Sequence, residues 1–149
     1  MPIGEFCNRE VVFAMRKTTI LEAAQLMRQH HVGDLVVVDV VDGRRMPVGI
    51  VTDRDIVIEI IAKSLAFNNF TVGDIMSPQL VSVMDSEGVF ETIELMRNKG
   101  VRRIPVVDRE GGLEGIVSAD DILDLLAEEM TELAKVSPRE QSREAHLRH

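Results

Sequence analysis

Apolar positions along this chain follow two rhythms that succeed one another twice. At Ile20–His30 and again at Val89–Lys99, apolar side chains recur at helical spacing, which predicts two amphipathic helices. A short apolar run precedes each, at residues 11–14 and 80–83. Two Val/Ile-rich runs follow each, 35–38 with 48–51 and 104–107 with 113–117, and predict strands joined as hairpins. A second helix then opens at Thr52 or Ser118, both good N-caps, and continues through 56–65 or 122–133. Asp53 and Asp55, or Asp120 and Asp121, stand in its first turn, where carboxylates complement the helix dipole. Thr19 with Glu22 fits a capping box for the first helix, and Gly88 leaves the equivalent box before Glu91 incomplete. Each unit therefore reads β-α-β-β-α.

The two units are copies. TVGDIM (71–76) echoes PIGEFC (2–7), LMRNKGVRRIPVVD (95–108) echoes LMRQHHVGDLVVVD (26–39), and GIVSADDIL (115–123) echoes GIVTDRDIV (49–57). The register slips only between the last two blocks, where VVDGRRMPVG (40–49) outruns REGGLEG (109–115), and this reads as a longer hairpin loop in the first copy. Residues 1–66 form the first repeat, 67–135 the second, and 136–149 a polar tail, broken by Pro138, that is expected to fray or dock on a partner. A unit this small leaves its sheet half covered, so the two sheets should pack face to face around a common core.

Composition narrows the function. With 45% hydrophobic and only 3% aromatic residues, the core must be built from Val, Ile, Leu and Met, and stacking platforms for single-stranded nucleic acid are scarce. A net charge of −8 opposes binding to nucleic acid or to an anionic membrane surface. No run approaches the length of a membrane span and no basic-then-apolar leader opens the chain, so a cytoplasmic protein is expected. The lone Cys7 reads as a small buried residue. His30 and His31 are adjacent, hence about 100° apart on a helix, and His146 and His149 lie in the tail; no metal site is expected from them. No nucleophile elbow, phosphate-binding loop or dinucleotide glycine pattern is present, and no enzyme activity is expected.

After the second strand run of each copy stands the same signature: Gly49-Ile50-Val51-Thr52-Asp53-Arg54-Asp55 and Gly115-Ile116-Val117-Ser118-Ala119-Asp120-Asp121. Two such signatures in register resemble a tandem pair of CBS (cystathionine β-synthase-type) domains, and the similarity spans residues 3–130. The resemblance implies an α/β (α+β) fold, a pseudo-twofold disc with two clefts between the repeats. It also implies a regulatory sensor of adenosine compounds: AMP first, with ADP, ATP, S-adenosylmethionine or NAD as alternatives. Pairing of discs into a homodimer through the second helices, and an effector protein that the sequence does not name, follow from the same resemblance.

By that resemblance Asp55 and Asp121 would accept from the ribose hydroxyls, while Thr52 and Ser118 offer a hydroxyl and a helix N-terminal amide to ribose or phosphate. The plainer reading of Thr/Ser-x-x-Asp is a helix cap. The base would lie among Ala14, Val32 and Leu35, or Val83, Val101 and Ile104. The copies diverge where a phosphate should sit. Val101-Arg102-Arg103-Ile104-Pro105 resembles the basic stretch of the γ subunit of AMP-activated kinase, whereas its counterpart Val32-Gly33-Asp34 is acidic, and Arg54 of the first signature stands where the second has Asp120. If each cleft is composite, Arg54, Asp55, Arg102 and Arg103 converge in one and Asp34, Asp120 and Asp121 in the other. The first is then expected to take a phosphorylated nucleotide, and the second to be weak, empty or suited to an uncharged tail or a cation. The competing function is a ligand-independent interaction or scaffold module.

Overall fold

The computed structural model describes residues 1–148; His149 lies outside the described residues. The first repeat contains β1 (Phe13–Met15), α1 (Ile20–His30), β2 (Asp34–Val41), β3 (Arg44–Thr52) and α2 (Asp53–Ile56), whose last turn widens into a π-helical stretch, Val57–Ile61. The second contains a short α3 (Val72–Ile75), β4 (Val83–Met84), α4 (Val89–Lys99), β5 (Arg103–Val107), β6 (Leu113–Ser118) and α5 (Ala119–Ala134). A last helix, α6 (Val136–Leu147), follows. The strands form two three-stranded sheets of order β1-β2-β3 and β4-β5-β6, in each of which the first pair is parallel and the second antiparallel. Both hairpins carry an irregularity at the same place, Val37/Val38 and Val106/Val107, so the repeat extends to backbone detail.

The anticipated β-α-β-β-α order stands, with three departures. Residues 11–12 and 80–82 lead into the first strands without joining them. The extra residues of the first hairpin lengthen its strands and not its loop: Asp42 (φ 51°) and Gly43 (φ 76°) close a two-residue turn, the backbone an Asp-Gly pair adopts most readily. The longer hairpin carries Arg44 to the second hairpin, where it pairs with Asp108 and Glu110. Finally, residues 136–147 are helical, where a polar tail that frays or docks on a partner was expected. Pro138 falls in the first turn, where its missing N–H deprives no intrahelical bond, so it does not break this helix. Every described residue of α6 is exposed.

The expected common core is divided in two. Leu35, Val37 and Val51 gather with Ala14, Ala23 and Met27 under α1, and Ile104, Val106 and Val117 gather with Val83, Met96 and Ile122 under α4. Val36 and Val38, on the opposite face of β2, are also buried, because that face meets the other sheet where β3 packs beside β6. Each cluster includes a residue from the other repeat. Ile3 is fully buried in the second cluster, its lead-in held by Ile3 N to Glu87 O (2.6 Å) and Gly4 N to Asp85 O (2.9 Å). Val72 is fully buried in the first, held by Val72 N to Thr18 O (2.8 Å) and Gly73 N to Arg16 O (2.9 Å). The repeats thus exchange their leading segments.

Candidate functional site

The exchange explains the glycine of the repeated signature. In the second repeat Asn8 N donates to Ile116 O (2.8 Å) and Ile116 N to Asn8 O (2.9 Å), and in the first Ser77 N donates to Ile50 O (3.1 Å). The incoming backbone lies so close that a Cβ on Gly115 would stand 2.6 Å from Asn8 O and from Cys7 Sγ, and one on Gly49 2.9 Å from Ser77 O. Cys7 is half-buried here, its thiol donating to Gly4 O (3.5 Å) and its pKa pushed up by burial. Each lead-in then runs along the edge of β3 or β6 and forms one wall of a cleft.

At the end of β3, Thr52 caps α2: Asp55 N donates to Thr52 Oγ1 (3.0 Å) and Thr52 N donates to Asp55 Oδ2 (2.9 Å). This is a complete capping box, so the plainer reading of Thr-x-x-Asp is physically realised, leaving Asp55 Oδ1 outside the box. In the second repeat Asp121 N donates to Ser118 Oγ (3.0 Å), without the return bond among the described residues, and Asp121 is exposed where Asp55 is half-buried. Each cap also ties back to the loop before its hairpin, by Asp53 N to Gly33 O (2.9 Å) and Ala119 N to Arg102 O (2.7 Å).

Two clefts flank the line where the repeats meet. The first encloses about 350 Å³. Ile50, Thr52 and Asp55 of the first repeat face Ser77, Gln79 and Val81, the 101–103 stretch, Ser118 and Asp120 of the second, with Asp34 at the boundary. Its volume falls in the range of small-molecule sites. The second, about 220 Å³, is formed by the equivalent positions with the repeats interchanged: Ile116, Ser118 and Asp121 against Asn8, Glu10, Val11, Val12, Val32 and Asp34, with Arg103. Both are composite, each drawing its signature aspartate from one repeat and its opposite wall from the other.

The structure brings Thr52, Asp55, Val101, Arg102, Arg103 and Ser118 to the first cleft, and Val32, Arg103, Ser118 and Asp121 to the second. Arg54 lines neither; it sits one position before Asp55 in the first turn of α2, turned about 100° away, and is exposed. Asp120 lies in the first cleft and not the second, where it accepts from Arg102 Nη2 (2.9 Å). Ala14, Leu35, Val83 and Ile104 do not reach a cleft: at 3, 0, 6 and 0% exposure they are core, since they point toward the helices and not toward the neighbouring repeat. The apolar walls come instead from Ile50, Val81 and Val101, and from Val11, Val12 and Ile116. Ile50 and Val81 were missed in the sequence, although the doubled signature could have pointed to Ile50, the residue after its glycine.

Charge separates the clefts less sharply than expected. In the first, Arg102 and Arg103 accompany Asp34, Asp55 and Asp120; in the second, Arg103 alone accompanies Glu10, Asp34 and Asp121. Gln79 of the first occupies the position of Glu10 in the second. Arg103 Nη1 donates to Asp34 Oδ2 (2.6 Å), so each cleft arginine begins with a carboxylate partner. A guanidinium has five N–H donors, and both retain capacity for a further anion. Among the described residues no group of three or more His, Cys, Asp or Glu side chains could hold a metal, and no helix is long and apolar enough to cross a membrane.

The fold agrees with comparisons to known proteins. A protein of Methanopyrus kandleri is 38% identical over 121 residues, which is 81% of this chain and 60% of that protein, so the chain spans less than two thirds of this relative's length. The CBS domain-containing protein YhcV of Bacillus subtilis is 36% identical over 120 residues, 80% of this chain and 81% of that one. Among solved structures, CBSX2 in complex with AMP superposes with a TM-score of 0.73 at 26% identity, covering 87% of this chain and 98% of that one. The CBS domain pair of MJ0100, in complex with 5′-methylthioadenosine and S-adenosyl-L-methionine, gives 0.70 at 28% identity with the same coverage. The family model of the CBS domain matches residues 3–62 and again 72–128, and with both repeats accounted for the chain belongs to the CBS domain family as a tandem pair.

Proposed function

We propose that the chain is a non-catalytic regulatory sensor that takes an adenosine-bearing ligand in its first cleft and signals to a partner by a change in how the two repeats meet. One observation carries this reading: Asp55, half-buried and with one carboxylate oxygen outside its capping box, faces Arg102 and Arg103 across a cavity of about 350 Å³. Each part of an adenine nucleotide then has a partner. Asp55 accepts from the ribose diol, a charge-assisted pair stronger than a neutral one, while Thr52 supports it. The flat base lies against Ile50, Val81 and Val101, and the arginines receive the tail. AMP is the ligand we favour, with ADP, ATP, S-adenosylmethionine and NAD as the alternatives. The second cleft, smaller and with one arginine, is the weaker site. The neighbours in complex with AMP and with S-adenosyl-L-methionine support the ligand class.

A ligand can shift the repeats only by binding two arrangements with different affinity. The exposed apolar side chains of the second helices, Val57, Ile58 and Ile61 with Leu123, Met130 and Leu133, suit pairing of two copies, and we propose a homodimer on this face. We keep 1–66 and 67–135 as the repeats and 136–149 as a segment outside both.

Calorimetric titration of nucleotide-stripped protein with AMP, ATP, S-adenosylmethionine and NADH tests the reading. One tight adenine ligand, lost in Asp55→Ala and kept in Asp121→Ala, supports it; no heat with any of the four favours a scaffold whose clefts are unused.

A further inference from the structure

Asp34 and Arg103 occupy the same position in the two repeats, the first residue of β2 and of β5, and each is the cross-strand neighbour of a signature hydroxyl, Thr52 or Ser118. They meet across the pseudo-twofold at 2.6 Å, with the Asp34 side chain 16% and the Arg103 side chain 47% exposed. Both residues line both clefts. The pair is therefore a common wall, and the second cleft contains no other arginine or lysine.

We infer that this ion pair couples the clefts, so that an anionic tail bound in the first cleft makes the second reject another. The inference rests on the adenosine reading and adds to it a rule of occupancy. A phosphate in the first cleft draws Arg103 donors toward itself, since a dianion competes strongly with one carboxylate for a guanidinium. Asp34 then faces the second cleft with its positive partner displaced, beside Glu10 and Asp121. Three carboxylates around a small, partly enclosed volume repel an incoming phosphate. The coupling is reciprocal: an anion that engaged Arg103 from the second cleft would weaken the first by the same factor. A single arginine serving two clefts makes the first phosphorylated ligand bind more tightly than a second.

The test is calorimetric titration with AMP of the wild-type chain, Asp34→Asn and Arg103→Gln, with thermal melting of each to show that it is folded. The amide introduced by Asp34→Asn would keep an oxygen for Arg103 and remove the charge. In the wild type the second AMP should bind at least about tenfold more weakly than the first, or not at all. In Asp34→Asn the second affinity should rise about tenfold, so that two AMP per chain are resolved, and Arg103→Gln should weaken the first binding by about tenfold. Two equal AMP sites in the wild type overturn the coupling and leave the adenosine reading intact. So does an unchanged interval in Asp34→Asn, or unchanged first affinity in Arg103→Gln. Absence of heat in all three proteins is a different result: it overturns the adenosine reading, and the coupling with it.

Discussion

Asp55 and Thr52 hold each other reciprocally, the amide of each donating to the side chain of the other at 3.0 and 2.9 Å. The carboxylate proposed to receive a ribose is thus also a structural cap, and loss of binding in Asp55→Ala has two possible origins. Thr52→Ala separates them. Either substitution should lower stability by about 0.5–2 kcal/mol, the usual cost of a lost cap, measured by urea unfolding. Only Asp55→Ala removes the ribose acceptor, so only that variant should abolish AMP binding in calorimetry, while Thr52→Ala should weaken it by less than about tenfold.

Arg102 and Asp120 pair on the surface, with side chains 75 and 69% exposed, and such pairs add little to stability. Asp120→Ala should leave the folded state within about 0.5 kcal/mol of wild type. It should tighten binding of a phosphorylated ligand several-fold by freeing Arg102 and removing a carboxylate from the first cleft. Titration of AMP at low and at high salt checks this, since the gain should shrink as salt screens the exposed charges.

Gly115→Ala should destabilise by about 1–3 kcal/mol, because its Cβ would meet the backbone oxygen of Asn8, which cannot rotate away. Gly49→Ala should cost less, since its clashes, at 2.9 Å, include the flexible Met76 side chain beside Ser77 O. Both losses should appear in denaturant midpoints, and limited proteolysis of Gly115→Ala should cleave first within residues 2–10, the segment whose docking that glycine permits.

Leu35→Ala should cost about 2–5 kcal/mol, as expected for a large side chain removed from a closed core. Val101→Ala, at a half-buried position on the cleft wall, should change stability less and weaken binding of the base. Parallel unfolding and titration of the two variants check that the core and the ligand wall are separate sets of residues.

The helices under each sheet, the hairpins and both capped second helices are legible in the chain because each depends on neighbours within a few residues: apolar spacing at Ile20–His30, hydroxyl caps at Thr52 and Ser118, a turn at Asp42-Gly43. The turn also shows the limit of such reading. Asp-Gly between Val-rich runs signals a two-residue hairpin, yet counting residues suggested a long loop, because length alone does not say whether extra residues extend the strands or the turn. Pro138 misleads in the same way: a breaker by type, it is accommodated by position, in the first turn of a helix.

By itself the sequence determined the doubled unit, the family and the two capped signatures, since the repetition is written in the order of residues and in short-range periodicity. Only the tertiary structure decided that Ile3 and Val72 exchange cores, that Arg54 turns away while Asp120 turns in, and that Asp34 and Arg103 meet between two clefts. These relations join residues far apart in the chain: Asp34 and Arg103 alone are separated by 69 positions. They are set by how two curved, bulged sheets can pack while both faces of β2 are kept from water, a condition of the whole molecule that no local window contains.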